Sequence, residues 1–287
     1  MKSQSILIIF LLLFVYPIKP AQAKNKSKIK NHGVLIDYTD SEKGDTTLLF
    51  VHGWCLNKSY WVNQVAFFSK RYRVVTIDLP GFGLSGKNRN DWSTANYATD
   101  VNAVINQLHL KKVILIGHSM AGDIVLKAAI NNPNKVISLV GVDNFKAIGH
   151  TLSAQELKNN IAAMNEMKLN FKKIAFQYFN QSLFSKATPS FIKKRILNDV
   201  AHTDSTTAIK SLEESIKQMQ HDEGKLLLRS KKKLYLINSD YTTTDRSNLI
   251  TNHIPYQIFY IHNTGHFPMV EKPTEFNSKL LQIVRSI

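Results

Sequence analysis

The chain has 287 residues, 44% of them hydrophobic, a formal net charge of +16 and a single cysteine, Cys55. That length supports one large α/β domain or one domain carrying an insertion, and a lone cysteine excludes a framework of internal disulfides, so stability must come from a buried core. The charge would suit an anionic partner, but no nucleic-acid motif accompanies it. Lys24, Lys26, Lys28, Lys30 and the run 231–233 therefore read as solvated faces, with weak attraction to an anionic membrane surface and no nucleic acid as partner.

Lys2 precedes an apolar run from Ile6 to Tyr16, and Ala21-Gln22-Ala23 supplies the small residues of an A-x-A cleavage site. This is the pattern of a Sec-type signal peptide over 1–23; the run is shorter than the roughly 20 residues that span a bilayer. The expected product is an exported protein, periplasmic or secreted, of about 264 residues and net charge +14 once Lys2 and Lys19 are removed. An uncleaved N-terminal anchor is the competing reading.

Val34–Tyr38 and Thr46–Val51 read as strands, the second ending in His52-Gly53-Trp54. Glycine there allows a sharp turn at the C-terminal edge, where open α/β sheets build their sites. A helix over 59–70 leads to a strand, Arg73–Ile77, which closes on the turn cluster from Asp78 to Ser85 with Asp78 placed to brace it. Ser93 caps a helix presenting Tyr97, Val101, Val104, Ile105 and Leu108 on one face. The β-branched run Val113–Ile116 then feeds directly into a helix with Ile124, Val125, Ala128 and Ala129 at helical spacing, and Ser119 sits at the join. A serine on such a turn holds its hydroxyl above the sheet, beside the unpaired first N–H groups of the helix. Cys55, next to the 52–54 turn, reads as a turn residue and not as a rival nucleophile.

Val136–Val142 is a strand ending at Asp143, and the next is Leu234–Asn238. Between them, 144–230 reads as helices. Ser153 and Glu156 form a capping box, Phe171, Ile174, Ala175 and Tyr178 a stripe, Thr188-Pro189 another helix start, and Ile209, Leu212, Ile216 and Met219 a further stripe. The strand Leu234–Asn238 runs into Ser239-Asp240. Gln257–Ile261 runs into a loop carrying Gly265-His266, and Pro273 opens a final helix with Phe276, Leu280, Ile283 and Val284 on its buried face. Strands alternating with helices predict a parallel sheet.

Four ordered motifs carry a resemblance. They are the His52-Gly53 turn, Asp78 to Ser85 as D-x-x-G-x-G-x-S, Gly117-His118-Ser119-Met120-Ala121 as G-x-S-x-G with alanine for the last glycine, and Gly265, His266, Glu271 and Pro273 as G-H-x-x-x-x-E-x-P. Together they resemble the α/β-hydrolase superfamily. The resemblance implies an α/β fold with a mostly parallel sheet of about eight strands flanked by helices, built from 24–143 and 231–287, with a helical cap inserted at 144–230. It implies Ser119 as nucleophile, His266 as base, and the backbone N–H groups of Trp54 and Met120 as the oxyanion hole. His253 and His262 read as packing or surface residues, and His118 as pointing away from the nucleophile. A carboxylate must orient the imidazole. Asp240 lies where the family most often places it, although Asn238 stands where glycine is usual; Asp143 is the alternative acid and Asp245 a third.

Relatives that open an alkyl carbon use aspartate as nucleophile, so Ser119 argues for acyl transfer. The expected activity is a carboxylesterase acting through an acyl-enzyme on a small or medium apolar ester, in a pocket roofed by apolar stripes. A lipase, a carbon–carbon bond hydrolase or a perhydrolase would use the same triad, and a non-catalytic ligand-binding protein is the alternative of another class. No metal-ligand spacing or dinucleotide fingerprint is present, so no cofactor is expected.

Overall fold

The computed structural model describes residues 27–150, 152–219 and 223–287; the expected signal peptide, 1–23, lies outside them. Strands β1 (Ser27–Asn31), β2 (Val34–Asp40), β3 (Thr47–Val51), β4 (Arg73–Ile77), β5 (Val113–His118), β6 (Val136–Val142), β7 (Leu234–Ser239) and β8 (Tyr256–Ile261) form one sheet in the order β1-β2-β4-β3-β5-β6-β7-β8. The β1–β2 and β2–β4 pairings are antiparallel and the rest parallel. Every residue of β3 and β5 is buried, as expected of central strands covered on both faces. Their C-terminal ends, carrying His52 and Ser119, therefore meet at one sheet edge.

β1 is an addition to the reading of the sequence. Its lysines alternate with Ile29, which is buried while Lys28 and Lys30 face solvent. His32 and Gly33, both with positive φ (44° and 84°), make the two-residue hairpin that pairs β1 with β2. A lysine-bearing edge strand also resists pairing with other chains.

The helices of the core are α1 (Val62–Phe68), α2 (Thr94–Gln107) and α3 (Ala121–Asn131). The helix expected over 59–70 divides into a 3-10 turn, Lys58–Trp61, and α1. Asp78 braces its loop as expected, accepting from Lys58 N at 2.6 Å, Leu84 N at 2.8 Å and Lys58 Nζ at 2.8 Å.

Between β6 and β7 lie α4 (Ala154–Leu169), α5 (Phe171–Tyr178), a π turn (Phe179–Leu183), α6 (Ser190–His202), α7 (Ser205–Met219) and α8 (Glu223–Ser230). The Ser153–Glu156 capping box forms at the start of α4. Ile192, Ile196 and Val200 give α6 a buried stripe. α4 buries little beyond Met164 and Met167 and leaves Ile161 and Leu169 in solvent. After β7 come α9 (Ser247–Thr251), α10 (Pro268–Glu271) and α11 (Pro273–Arg285), the last burying Phe276, Leu280, Ile283 and Val284.

Candidate active site

Ser119 has φ of +52°, a left-handed backbone between a strand and a helix that lifts its side chain off the sheet. The turn is tight because α3 packs directly on Gly117: a Cβ there would lie 2.5 Å from the Ala121 carbonyl oxygen and 2.7 Å from Val125 Cγ2. Ala121, standing where the resemblance has glycine, fits without exposure. A Cβ on Gly53 would come within 3.1 Å of Ser119 Cβ, so the 52–54 turn abuts the serine. The backbone N–H groups of Trp54 and Met120 have no acceptor among the described residues. His52 staples this turn to the next loop. Its Nε2 accepts from Leu79 N at 2.9 Å, so Nδ1 carries the hydrogen and donates to Gly53 O at 2.8 Å, and burial keeps the ring neutral by lowering its pKa. Cys55 is buried, which pushes its thiol well above the ordinary range.

Ser119 and His266 line one cavity of about 330 Å³, with Trp54, Met120, Tyr178 and Phe179 among its walls. His266 Nδ1 lies 2.5 Å from Asp143 Oδ2. Asp143, itself at φ +46°, is wholly buried, and its other oxygen accepts from Ser239 N at 2.8 Å, Ser239 Oγ at 2.6 Å and Lys146 Nζ at 2.8 Å. Burial alone would raise its pKa, but the hydrogen bond and charge of His266, with the Lys146 ammonium, outweigh that and hold the carboxyl well below its ordinary value.

The acid expected from the sequence is corrected here. Asp240 does not meet His266; its carboxylate pairs with His262 Nδ1 at 2.7 Å on the exposed rim. It follows the last residue of β7, Ser239, whose own side chain turns inward to Asp143. Asp240 is thus directed outward, and Asp143, the alternative at the end of β6, is the carboxylate that meets His266. Asp245 accepts from Ser247 N at 2.8 Å and caps α9.

The loop of His266 is held from several sides. Glu271 accepts from Gly265 N at 3.0 Å and Phe267 N at 3.2 Å, and its other oxygen takes the Thr188 hydroxyl at 2.7 Å. His266 N donates to the Leu183 carbonyl at 2.8 Å. His118 points under the loop, its Nε2 donating to His266 O at 2.8 Å; burial, then the charge of His266, pushes its pKa down to about 3, so it stays neutral. Trp54 Nε1 donates to Ala208 O at 2.8 Å, tying the 52–54 turn to α7.

Asn144 belongs to none of the sequence motifs. Its Nδ2 donates to the carbonyls of Gly117 at 3.0 Å and Ser119 at 3.3 Å, bracing the serine turn from the position next to Asp143. A Cβ on Gly122 or Gly141 would lie 2.2 Å from its amide, and those two glycines were the available signal. The pocket, expected to be apolar with few polar anchors, includes Asp123 from α3 and Ser215 and Glu223 from the helices between β6 and β7 among its polar lining residues. Among the described residues no group of three or more His, Cys, Asp or Glu side chains could hold a metal ion.

A family model described as alpha/beta hydrolase fold matches residues 46–273, most of the chain, and the protein belongs to that family. Within it, the chain is 30% identical over 159 residues to the dihydrolipoyllysine-residue acetyltransferase component of the acetoin cleaving system of Pseudomonas putida, covering 55% of this chain and 40% of that one. It is 33% identical over 105 residues to the pimeloyl-(acyl-carrier protein) methyl ester esterase of Aliivibrio fischeri, covering 37% of this chain and 39% of that one. The matches thus span about two fifths of these relatives' length. A thermophilic esterase from Thermogutta terrifontis superposes with a TM-score of 0.77 at 18% identity, over 91% of this chain and 98% of that one, a likeness of fold.

Proposed function

We propose that the protein is a serine hydrolase that cleaves a carboxylic ester. Ser119 Oγ attacks the carbonyl carbon while His266 Nε2 takes its proton, and Asp143 fixes the imidazole with Nδ1–H toward itself and stabilises the imidazolium. The oxyanion is received by the N–H groups of Trp54 and Met120. Collapse expels the alcohol, protonated by His266. Water, deprotonated by the same histidine, then attacks the acyl-enzyme and releases the acid and Ser119. The observation that carries this reading is the buried Asp143–His266 pair at 2.5 Å, opening on the same cavity as a serine with left-handed backbone. A cavity of about 330 Å³ favours a small or medium substrate over a polymer.

A fluorophosphonate probe should label the wild-type protein and fail to label Ser119→Ala. Equal labelling of both would end the proposal, and labelling without turnover of any ester in a broad panel would move it to another acyl-derived substrate or to a binding role.

A further inference from the structure

From Met167 to Asn198 the chain carries seven lysines and arginines and no aspartate or glutamate. The inner side of this segment completes the active site: Tyr178, Phe179, Ser182 and Leu183 line the cavity, and the Leu183 carbonyl takes the His266 N–H. Three of its cations are engaged. Lys168 pairs with Glu213 at 2.6 Å, the Lys193 ammonium lies 5.7 Å from the centre of the Phe184 ring, and Arg195 lies over Tyr60 and donates to Ser59 Oγ at 2.9 Å. The ammonium groups of Lys172, Lys173, Lys186 and Lys194 are on exposed residues and have neither an ion pair nor a hydrogen bond among the described residues.

The same segment holds the two most exposed large hydrophobic side chains among the described residues, Leu169 at 89% and Phe191 at 72%. Leu169 ends α4 just before Lys172 and Lys173. Phe191 stands in the first turn of α6, with Lys194 one turn further on the same face and Lys186 just before the helix. α5 packs against both α4 and α6. A single exposed apolar residue is ordinary on a protein surface. Here the two largest exposures coincide with the stretch that has no acid and stand close to unpaired lysines. An acidic polymer would use the charge and leave the ring and the methyl groups in water. A lipid surface with anionic headgroups uses both, because its negative potential attracts the lysines while Phe and Leu enter the boundary between headgroups and acyl chains.

We infer that the segment from Met167 to Asn198 is a docking surface for an anionic lipid membrane, with Phe191 and Leu169 as its apolar contacts and the four unpaired lysines as its charged ones. Docked in this way, the helices that roof the catalytic cavity are the part of the protein held at the lipid. The inference does not depend on the ester chemistry. The test is co-sedimentation of the full chain, at low salt, with vesicles of phosphatidylcholine alone or mixed equally with phosphatidylglycerol. The wild type should bind the mixed vesicles about tenfold more tightly or better, and added salt should weaken that binding. Reversing two unpaired lysines together, in Lys186→Glu with Lys194→Glu, should lower partition into mixed vesicles about 25-fold or more. Phe191→Ser should lower it about fivefold. Lys111→Glu with Lys112→Glu makes the same change of net charge just before β5, at the opposite edge of the sheet, and should leave partition within about threefold. The apolar run near the N-terminus is common to every variant and divides out of each ratio. Circular dichroism checks folding; if the Lys186 and Lys194 pair does not fold, Lys172→Glu with Lys173→Glu takes its place. Equal binding to the two kinds of vesicle, or an equal loss from the lysine pairs at the two edges, would overturn the inference. So would unchanged partition of Phe191→Ser, which would leave a charge effect that an acidic polymer could use as well.

Discussion

Two aspartate–histidine pairs sit on the same edge of the sheet and share their chemistry and almost their distance. Asp143 and His266 are 2.5 Å apart, with side chains 0% and 13% exposed; Asp240 and His262 are 2.7 Å apart, 43% and 66% exposed. The exposed pair is screened by water, and such pairs contribute at most about 1 kcal/mol. The buried one is fixed on its far side by the backbone and hydroxyl of Ser239 and the Lys146 ammonium. A short carboxylate–imidazole contact therefore does not by itself identify a working pair. What sets the buried pair apart is the complete set of donors to its second oxygen, which holds the carboxylate in one orientation and, with the charges of His266 and Lys146, keeps it ionised against the opposing effect of burial.

Breaking the buried pair should have the largest consequence. Asp143→Asn keeps the shape but favours the wrong imidazole tautomer, and turnover of a short ester should fall by a factor on the order of 10⁴ with the far-ultraviolet circular dichroism unchanged. A fall of less than tenfold would remove Asp143 from the proposed mechanism. Ser239→Ala takes away one of the donors and leaves the backbone N–H, so a decrease in kcat of roughly tenfold is expected, corresponding to one hydrogen bond to a charged group.

Stability should follow the same ranking. Because the Asp143 pKa is lowered in the folded state, its contribution is complete above the unfolded carboxylate value of about 4 and is lost as pH falls through the lower folded value. Calorimetric scans should show the wild type losing Tm more steeply than Asp143→Asn below about pH 4; parallel acid limbs would contradict this. Asp240→Asn, in the exposed pair, should leave turnover and Tm nearly unchanged, with effects of about twofold or less. Loss of turnover in that variant would reverse the assignment of the two pairs.

What could be read in the sequence was what short segments determine by themselves. Gly117, Ser119 and Ala121 define the serine turn within five residues. Gly265, His266 and Glu271 define the base loop within seven, since the Glu271 carboxylate caps the loop's own N–H groups. The acid is different in kind. Asp143 is fixed by Ser239, ninety-six residues away, and two strands that end in or beside an aspartate look alike until their neighbours are placed. One signal was present: Asn238, where glycine is usual, is buried with its amide on Asn144 O at 3.1 Å and Thr244 Oγ1 at 3.1 Å, so that β7 supports β6 and does not present an acid of its own. The helices between β6 and β7 were legible from their stripes, but a stripe tells which face is apolar and not which residues border a cavity. Ser215 and Glu223, which line the cavity, escaped for that reason.

The His266 loop hangs from the helical insertion as much as it rests on the sheet. The Leu183 carbonyl takes the His266 N–H, a Cβ on Gly265 would lie 2.6 Å from that same oxygen, and Thr188 reaches Glu271. On this side the roof is riveted to the base, and raising it would strip the imidazole of its support before any opening was gained. Trp54 Nε1 on Ala208 O and the Tyr241 hydroxyl on Ser182 O tie the same helices to the sheet edge at further points, so the pocket wall and the imidazole behave as one piece.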